Sequence, residues 1–282
     1  MNRTIRVLLL GALLCAPAVT LAQTSRLYIT SFDWPPVHHI AQNGAVVQEW
    51  QTGGMYDGDC QWAMAVTDTI KIYASSYVGM GYEYDLDGNM IPGNTYPNTE
   101  FLDCFDGATD GTHNWTIAHN DWDEEFPYPV VVADADWGGA RVAFAPERRS
   151  SGITYDGNSD TLWVTNVAPD INCDRVQQYS LEGELLSEFN IDLGGGQVID
   201  WGGHGIAWDP ADDTLWISAF TPFGAAGPDL HQFDKQGNLL QSVDLGVTSP
   251  LMGAMGLEFQ MVPEPTSALL LVAALVAVCR RR

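Results

Sequence analysis

Between His119 and Tyr128 the chain reads His-Asn-Asp-Trp-Asp-Glu-Glu-Phe-Pro-Tyr, which sets four carboxylates among three aromatic rings. Asp121, Asp123, Glu124 and Glu125 are oxygen ligands of the kind Ca2+ takes. Their spacing is not that of an EF-hand, which needs a Gly at its sixth position and a more distant Glu, so a solvated acidic loop is the other reading. Trp122, Phe126 and Tyr128 place flat apolar faces beside these acids. Rings next to carboxylates suit sugars, which offer apolar C–H faces and hydroxyl donors. Trp34 and Tyr77 add two more rings, and His204, in Trp-Gly-Gly-His-Gly, adds a titratable base. The plain alternative for these aromatics is that they cover sheet edges. Other chemistries are not written here. There is no Gly-x-Ser-x-Gly elbow, phosphate loop or dinucleotide fingerprint, and no His-x-x-x-His or Cys-x-x-Cys pair for zinc.

A β-repeat must position these residues. Gly152 opens "GITYDGNSDTLWVTN", continuing to "DRVQQYSLEGELLSEFNI", and 53 residues later Gly205 opens "GIAWDPADDTLWISA", continuing to "DLHQFDKQGNLLQSVDL". Alternating apolar residues broken by Gly, Asp and Asn turns predict antiparallel strands, four to a unit. A four-strand unit at this period reads as a propeller blade. Weaker copies begin at Trp62 and Asp106. Before them, "LYITS", "VHHIAQNG" and "VVQEWQ" match the second, third and fourth strands of a blade without its first. "GAMGLEF", Gly253 to Phe259, supplies that missing strand from the far end of the chain. The expected fold is therefore all-β: a propeller of five four-stranded blades, about 47 residues each, closed by pairing the N-terminal strands with a C-terminal strand. Such closure removes an exposed sheet edge.

In this arrangement the loops entering first strands and those joining second to third strands crowd one face. Trp34, Tyr77, the acidic stretch with Trp122 and Phe126, Tyr128 and His204 all fall on them. Asp156, Gly157, Asp209 and Pro210 are expected to make turns, and Trp163 and Trp216 to pack between blades. The "G-I-x-x-D … T-L-W" strand pair and the "G-x-L-L" turn resemble NHL, streptogramin-lyase-like and gluconolactonase-like propellers across about a third of the chain. A streptogramin-lyase-like reaction implies a His near bound Mg2+ on the central face, and His204 is the candidate by position. Lactone hydrolysis implies Glu, Asn and Asp ligands around the axis. Two functions stay open: a non-enzymatic propeller that binds polysaccharide or a surface partner, and a metal-dependent lyase or lactone hydrolase using the central funnel.

The 282 residues hold 12 Lys and Arg against 36 Asp and Glu, a formal charge of −24. That excludes nucleic acid as a partner, because phosphate binding needs clustered bases. Residues 1–22 read as a signal peptide: Arg3 and Arg6, an apolar run from Val7 to Leu14, then Thr20-Leu21-Ala22 before Gln23. The body spans 23–261. Residues 262–282 carry Val262-Pro263-Glu264-Pro265, a twelve-residue apolar run from Ala268 to Cys279, and Arg280, Arg281 and Arg282. The run is shorter than the ~20 residues of a comfortable helical span. These three parts in order resemble the PEP-CTERM sorting signal of Gram-negative bacteria. The resemblance implies a transient membrane segment, processing by an exosortase after signal peptidase has acted, and release to the surface or the exopolysaccharide matrix. A simple tail anchor is the alternative. Losing both ends leaves seven of the twelve basic residues.

Of five cysteines, processing removes Cys15 and Cys279. Oxidising conditions outside the cytoplasm favour a pair among Cys60, Cys104 and Cys173. Blade alignment puts Cys60 and Cys104 at matching places before neighbouring first strands, so a Cys60–Cys104 disulfide is expected, with Cys173 left as a thiol. Three free thiols are the alternative.

Overall fold

The computed structural model describes residues 26–31, 36–52, 61–74, 80–97, 103–119, 128–167, 173–195, 199, 205–219, 230–245 and 254–261. These form twenty strands in five antiparallel four-stranded sheets, and every sheet is a blade. Blade 1 takes β1 (Leu27–Ser31), β2 (Pro36–Ile40) and β3 (Val46–Gln51). Blade 2 is β4 (Gln61–Val66), β5 (Thr69–Ala74), β6 (Met80–Asp85) and β7 (Met90–Pro97). Blade 3 is β8 (Asp103–Thr109), β9 (His113–His119), β10 (Val130–Asp134) and β11 (Arg141–Phe144). Blade 4 is β12 (Ser150–Asp156), β13 (Thr161–Val167), β14 (Cys173–Tyr179) and β15 (Leu185–Asn190). Blade 5 is β16 (Ile206–Asp209), β17 (Thr214–Ser218), β18 (Leu230–Phe233) and β19 (Leu239–Val243). The last strand, β20 (Ala254–Phe259), returns to pair with β1 and completes blade 1 in the order β20-β1-β2-β3. The expected ring, with its closure through both ends of the body, is what the chain forms.

The first strands β4, β8, β12, β16 and β20 meet one another around the axis. Two of them start earlier than the repeat suggested. Asp103, Cys104, Ser150 and Ser151 belong to strands rather than to the loops before them.

Strand alternation sends successive side chains to opposite faces of each sheet, so each blade buries residues against both neighbours. The result is five apolar clusters for five interfaces. In β13, Leu162 packs towards blade 3 while Trp163 packs towards blade 5. In β17, Leu215 points back to blade 4 and Trp216 forward to blade 1, with its ring 6.3 Å from Phe259. Both tryptophans are 1% exposed, as the repeated Leu-Trp pair predicts.

Turns on one face are tight and repeated. Gly183 and Gly237, from the two "G-x-L-L" segments, have φ of 89° and 85°, the left-handed region that favours glycine. A Cβ at either would stand 2.6 Å from a phenylalanine of the preceding blade's outer strand, Phe144 or Phe189. Blade 3 departs from this. Its hairpin puts Trp137 at φ 61° and buries it against Tyr73 of blade 2, centroids 5.2 Å apart. Asp156 and Asp209 are fully buried at their turns, where each accepts backbone N–H bonds from the residues that follow. Asp156 also binds the Lys235 ammonium of blade 5 at 2.6 Å.

A polar position recurs on the third strands. His38, Gln177 and His231 are buried and face Glu49, Glu188 and Ser242 on the outer strands. Burial lowers His231 to about 4 and moves His38 in the same direction. A histidine held neutral in the fold but free to protonate when unfolded contributes its full stability above pH ~6.5 and loses it as pH falls towards its folded value. Acidification from pH 7 to 4.5 should therefore weaken the wild type more than His231→Gln, by at most about 3 kcal/mol in urea titrations. Equal losses in the two proteins would show that His231 titrates normally.

Candidate functional site

The two faces of the ring differ in how much chain they carry. One bears the short turns at 67–68, 110–112, 157–160 and 210–213, and the hairpins at 41–45, 86–89, 135–140, 180–184 and 234–238. The strand ends of the other are joined by 32–35, 75–79, 98–102, 145–149 and 168–172, which are equally short, and by five longer segments, 52–60, 120–129, 191–205, 219–229 and 244–253. Extra length between rigid strands is where binding residues concentrate.

Beneath the long-connection face, the axis is closed by one carboxylate. Asp106 of β8 is 0% exposed. Its Oδ2 accepts the N–H of Ile153 (3.0 Å) and of Ile206 (2.9 Å), and its Oδ1 accepts those of Leu257 and Gly107 (both 2.9 Å). Ile153, Ile206 and Leu257 are the same position in blades 4, 5 and 1, each following a glycine. The preceding N–H groups, of Gly152, Gly205 and Gly256, go to hydroxyls of Thr165, Ser218 and Thr30 on the second strands, at 2.8, 3.0 and 3.0 Å. Register shifts in blades 1 and 4 at this level interrupt the ladder, so side chains satisfy donors the sheets leave open.

Glu258 of β20 lies beside this centre, 3% exposed, and accepts a bond from the Thr154 hydroxyl at 3.3 Å. Burial drives both carboxyls above their ordinary values. In Asp106 four backbone bonds pull the other way, while in Glu258 the neighbouring Asp106 adds to the rise. Gly107 explains how β8 approaches blade 2 so closely: a Cβ there would stand 2.6 Å from the backbone N and O of Met64.

A polar row crosses blade 4 at the same end. Ser150, Asn166, Arg175 and Asn190 are register partners on β12, β13, β14 and β15. Asn166 is 0% exposed. Its amide donates to Ser150 Oγ at 3.2 Å, while its Oδ1 has no partner. Arg175 holds Glu188 through two contacts of 3.0 and 2.9 Å, and its Nε is also without a partner. Arg148 pairs with Asp174 at 3.6 Å, and the Arg149 guanidinium lies 4.7 Å over the Tyr128 ring. Three of the seven basic residues of the body thus gather at one end of one blade.

Tyr128 is the residue of the expected ligand set that the structure describes. It is 5% exposed and packs edge-on to Phe105 at 6.2 Å, so it forms a wall under Arg149 rather than an open platform. Trp34, Tyr77, Asp121, Trp122, Asp123, Glu124, Glu125, Phe126 and His204 lie outside the described residues, as do Cys60 and the sorting residues Pro263, Glu264, Pro265, Arg280, Arg281 and Arg282. Among the described residues no three His, Cys, Asp or Glu are grouped to hold a metal, and no helix is long and apolar enough to cross a membrane.

Cys104 is the second residue of β8 and 1% exposed. Cys60 immediately precedes β4. The pairing of Cys104 with Cys60, which lies outside the described residues, is the prediction that blade alignment makes. Peptide mapping without reduction should join the Cys60 and Cys104 peptides. Reduction is then expected to cost about 3–4 kcal/mol for a loop of about 44 residues. A peptide linking Cys173 to either one would refute this pairing.

No family model and no curated protein matches the chain. Solved structures share its fold. A chain from a nidogen/laminin complex aligns with a TM-score of 0.52 and 12% identity, over 84% of this chain and 98% of its own. A protein of unknown function from Bacteroides caccae gives 0.47 and 12% over 85% and 100%. A functionally unknown protein from Desulfotomaculum acetoxidans DSM 771 gives 0.47 and 12% over 84% and 99%. At this identity the first of these alignments supports the β-propeller fold alone.

Proposed function

We propose that this chain is an exported β-propeller that binds polysaccharide through its long-connection face and acts without catalysis at the cell surface or in the surrounding matrix. The observation that carries this reading is the asymmetry of the two faces. Tight turns build one, while all five connections of nine residues or more lie on the other, including the aromatic and acidic stretch around Trp122. The axial carboxylate supports binding over a lyase or hydrolase in the funnel, because the acceptor positions of Asp106 are occupied by four N–H groups. His204 and the acids at 121–125 remain the candidates for a Mg2+- or Ca2+-dependent role.

The likeness of residues 262–282 to a PEP-CTERM signal supports sorting by an exosortase after signal peptidase has acted. Intact mass from the native host should then lack both ends, and a stable form still ending in Arg282 would refute it. For binding, the body from Gln23 to Met261 should retain a defined glycan class on an array. Trp122→Ala and Arg149→Ala should each weaken it about tenfold, equivalent to ~1.4 kcal/mol. Turnover of a lactone or a glycan with retained metal would replace this reading by the enzymatic one.

A further inference from the structure

The chain enters and leaves the propeller at one place. Gln260 N donates to Arg26 O at 2.8 Å, and Met261 N to Val66 O at 3.2 Å, at the end of β4. Arg26 itself reaches Leu86 O and Asp87 in a blade 2 hairpin. Both junctions therefore lie on the tight-turn face, opposite the long connections, and Met261 stands two residues before Pro263. That face is acidic. Asp68, Asp87, Asp136, Asp160, Glu182 and Asp212 are exposed on turns of blades 2 to 5. Of its bases, Lys235 is held by Asp156 and Asp213 and Arg26 by Asp87, while Arg141 is exposed at the start of β11 and is outnumbered by these acids.

Seven Cα–Cα steps, with six residues between, separate Met261 from Ala268, where the apolar run begins. Fully extended they reach about 25 Å. The tail is rooted at the inner strands β20 and β4, so to bring the opposite face to the lipid it would have to cross about 14 Å of sheet to the rim and then about 20 Å along the strands, farther than it reaches. Carboxylates within a Debye length, about 8–10 Å, of an anionic bilayer are repelled by it.

We propose that the tight-turn face is turned to the membrane while the C-terminal stretch holds the chain there, that the long-connection face points away from it, and that the acidic turns make the tail the sole attachment, so that cutting it frees the body. This rests on residues 262–282 being the membrane-inserting sorting tail proposed above.

The test uses the chain from Gln23 to Arg282 in vesicles of phosphatidylcholine and phosphatidylglycerol carrying an acceptor dye. A donor dye is placed through an azide-bearing residue at Gln236, exposed on a tight hairpin, or at Glu147, exposed on the other face. Energy transfer should be several-fold stronger from 236. Equal or stronger transfer from 147 overturns the orientation while leaving the tail reading intact. The body ending at Met261 should not float with these vesicles at 0.15 M salt (about physiological ionic strength), and co-flotation overturns the release claim. Failure of the full chain itself to float removes the tail reading and the inference with it.

Discussion

Asp106→Ala is expected to destabilise the protein by about 4 kcal/mol, a large part of the ~5–15 kcal/mol that holds a typical domain folded. The change leaves four N–H groups from blades 1, 3, 4 and 5 buried without an acceptor, and each orphan costs ~1–3 kcal/mol. Relief from burying the carboxylate offsets part of this, so the sum of four full penalties is an upper bound. Asp106→Asn separates shape from chemistry. Its amide keeps one acceptor oxygen but turns two N–H donors towards backbone donors, so a loss of about 2–3 kcal/mol is expected. Urea unfolding monitored by tryptophan fluorescence reads both. If Asp106→Ala melts within a few degrees of the wild type, the axial donors have other partners and the centre does not hold the ring.

Removing β20 should be more damaging still. A chain ending at Met252 loses the inner strand of blade 1, including Leu257 and Phe259, 0% and 2% exposed. Each such side chain contributes ~1.5–3 kcal/mol by burial alone. Asp106 also loses the Leu257 N–H, and β1 becomes an open edge ready to pair with another chain. Unfolding or association is expected by circular dichroism and light scattering. A chain ending at Met261 should melt like the intact body, which assigns the loss to the strand. A permutant that joins Met261 to Arg26 by a short linker tests the geometry directly, since Gln260 N and Arg26 O already touch at 2.8 Å. It makes blade 1 continuous and should restore a monomer. A β20 deletion that stays monomeric with unchanged melting would contradict closure through β20.

The fold was legible because its rules are local and repeated. Leu162-Trp163 and Leu215-Trp216 alternate across sheets, and Gly183 and Gly237 mark hairpins, so one blade read from two copies could be extended to five. "GAMGLEF" was recognisable as a first strand for the same reason. The centre was less legible. Asp106 gains its role from N–H groups 47, 100 and 151 residues away, and no spacing rule in a single sequence encodes that. Its one signal was a carboxylate on a first strand where the clear repeats carry apolar or small residues. Tyr128 shows the converse limit. Beside acids it reads as a sugar platform, but its neighbour within blade 3 is Phe105, and packing makes it a wall. Cys104 reads as a loop residue because the repeat does not mark where β8 begins.

The pairing of β1 with β20 also sets an order of events. The Gly256-to-Thr30 bond joins residues 226 apart, and contacts so distant along the chain form late, because their loop entropy precedes any gain. A chain threaded outward from its N-terminus delivers β20 last, after four blades have already emerged. Until then the ring is open, and the axial carboxylate lacks its Leu257 donor. For a protein exported as proposed here, a premature, transport-blocking fold on the cytoplasmic side is disfavoured by topology itself. The final segment of the body to cross is the one that locks it.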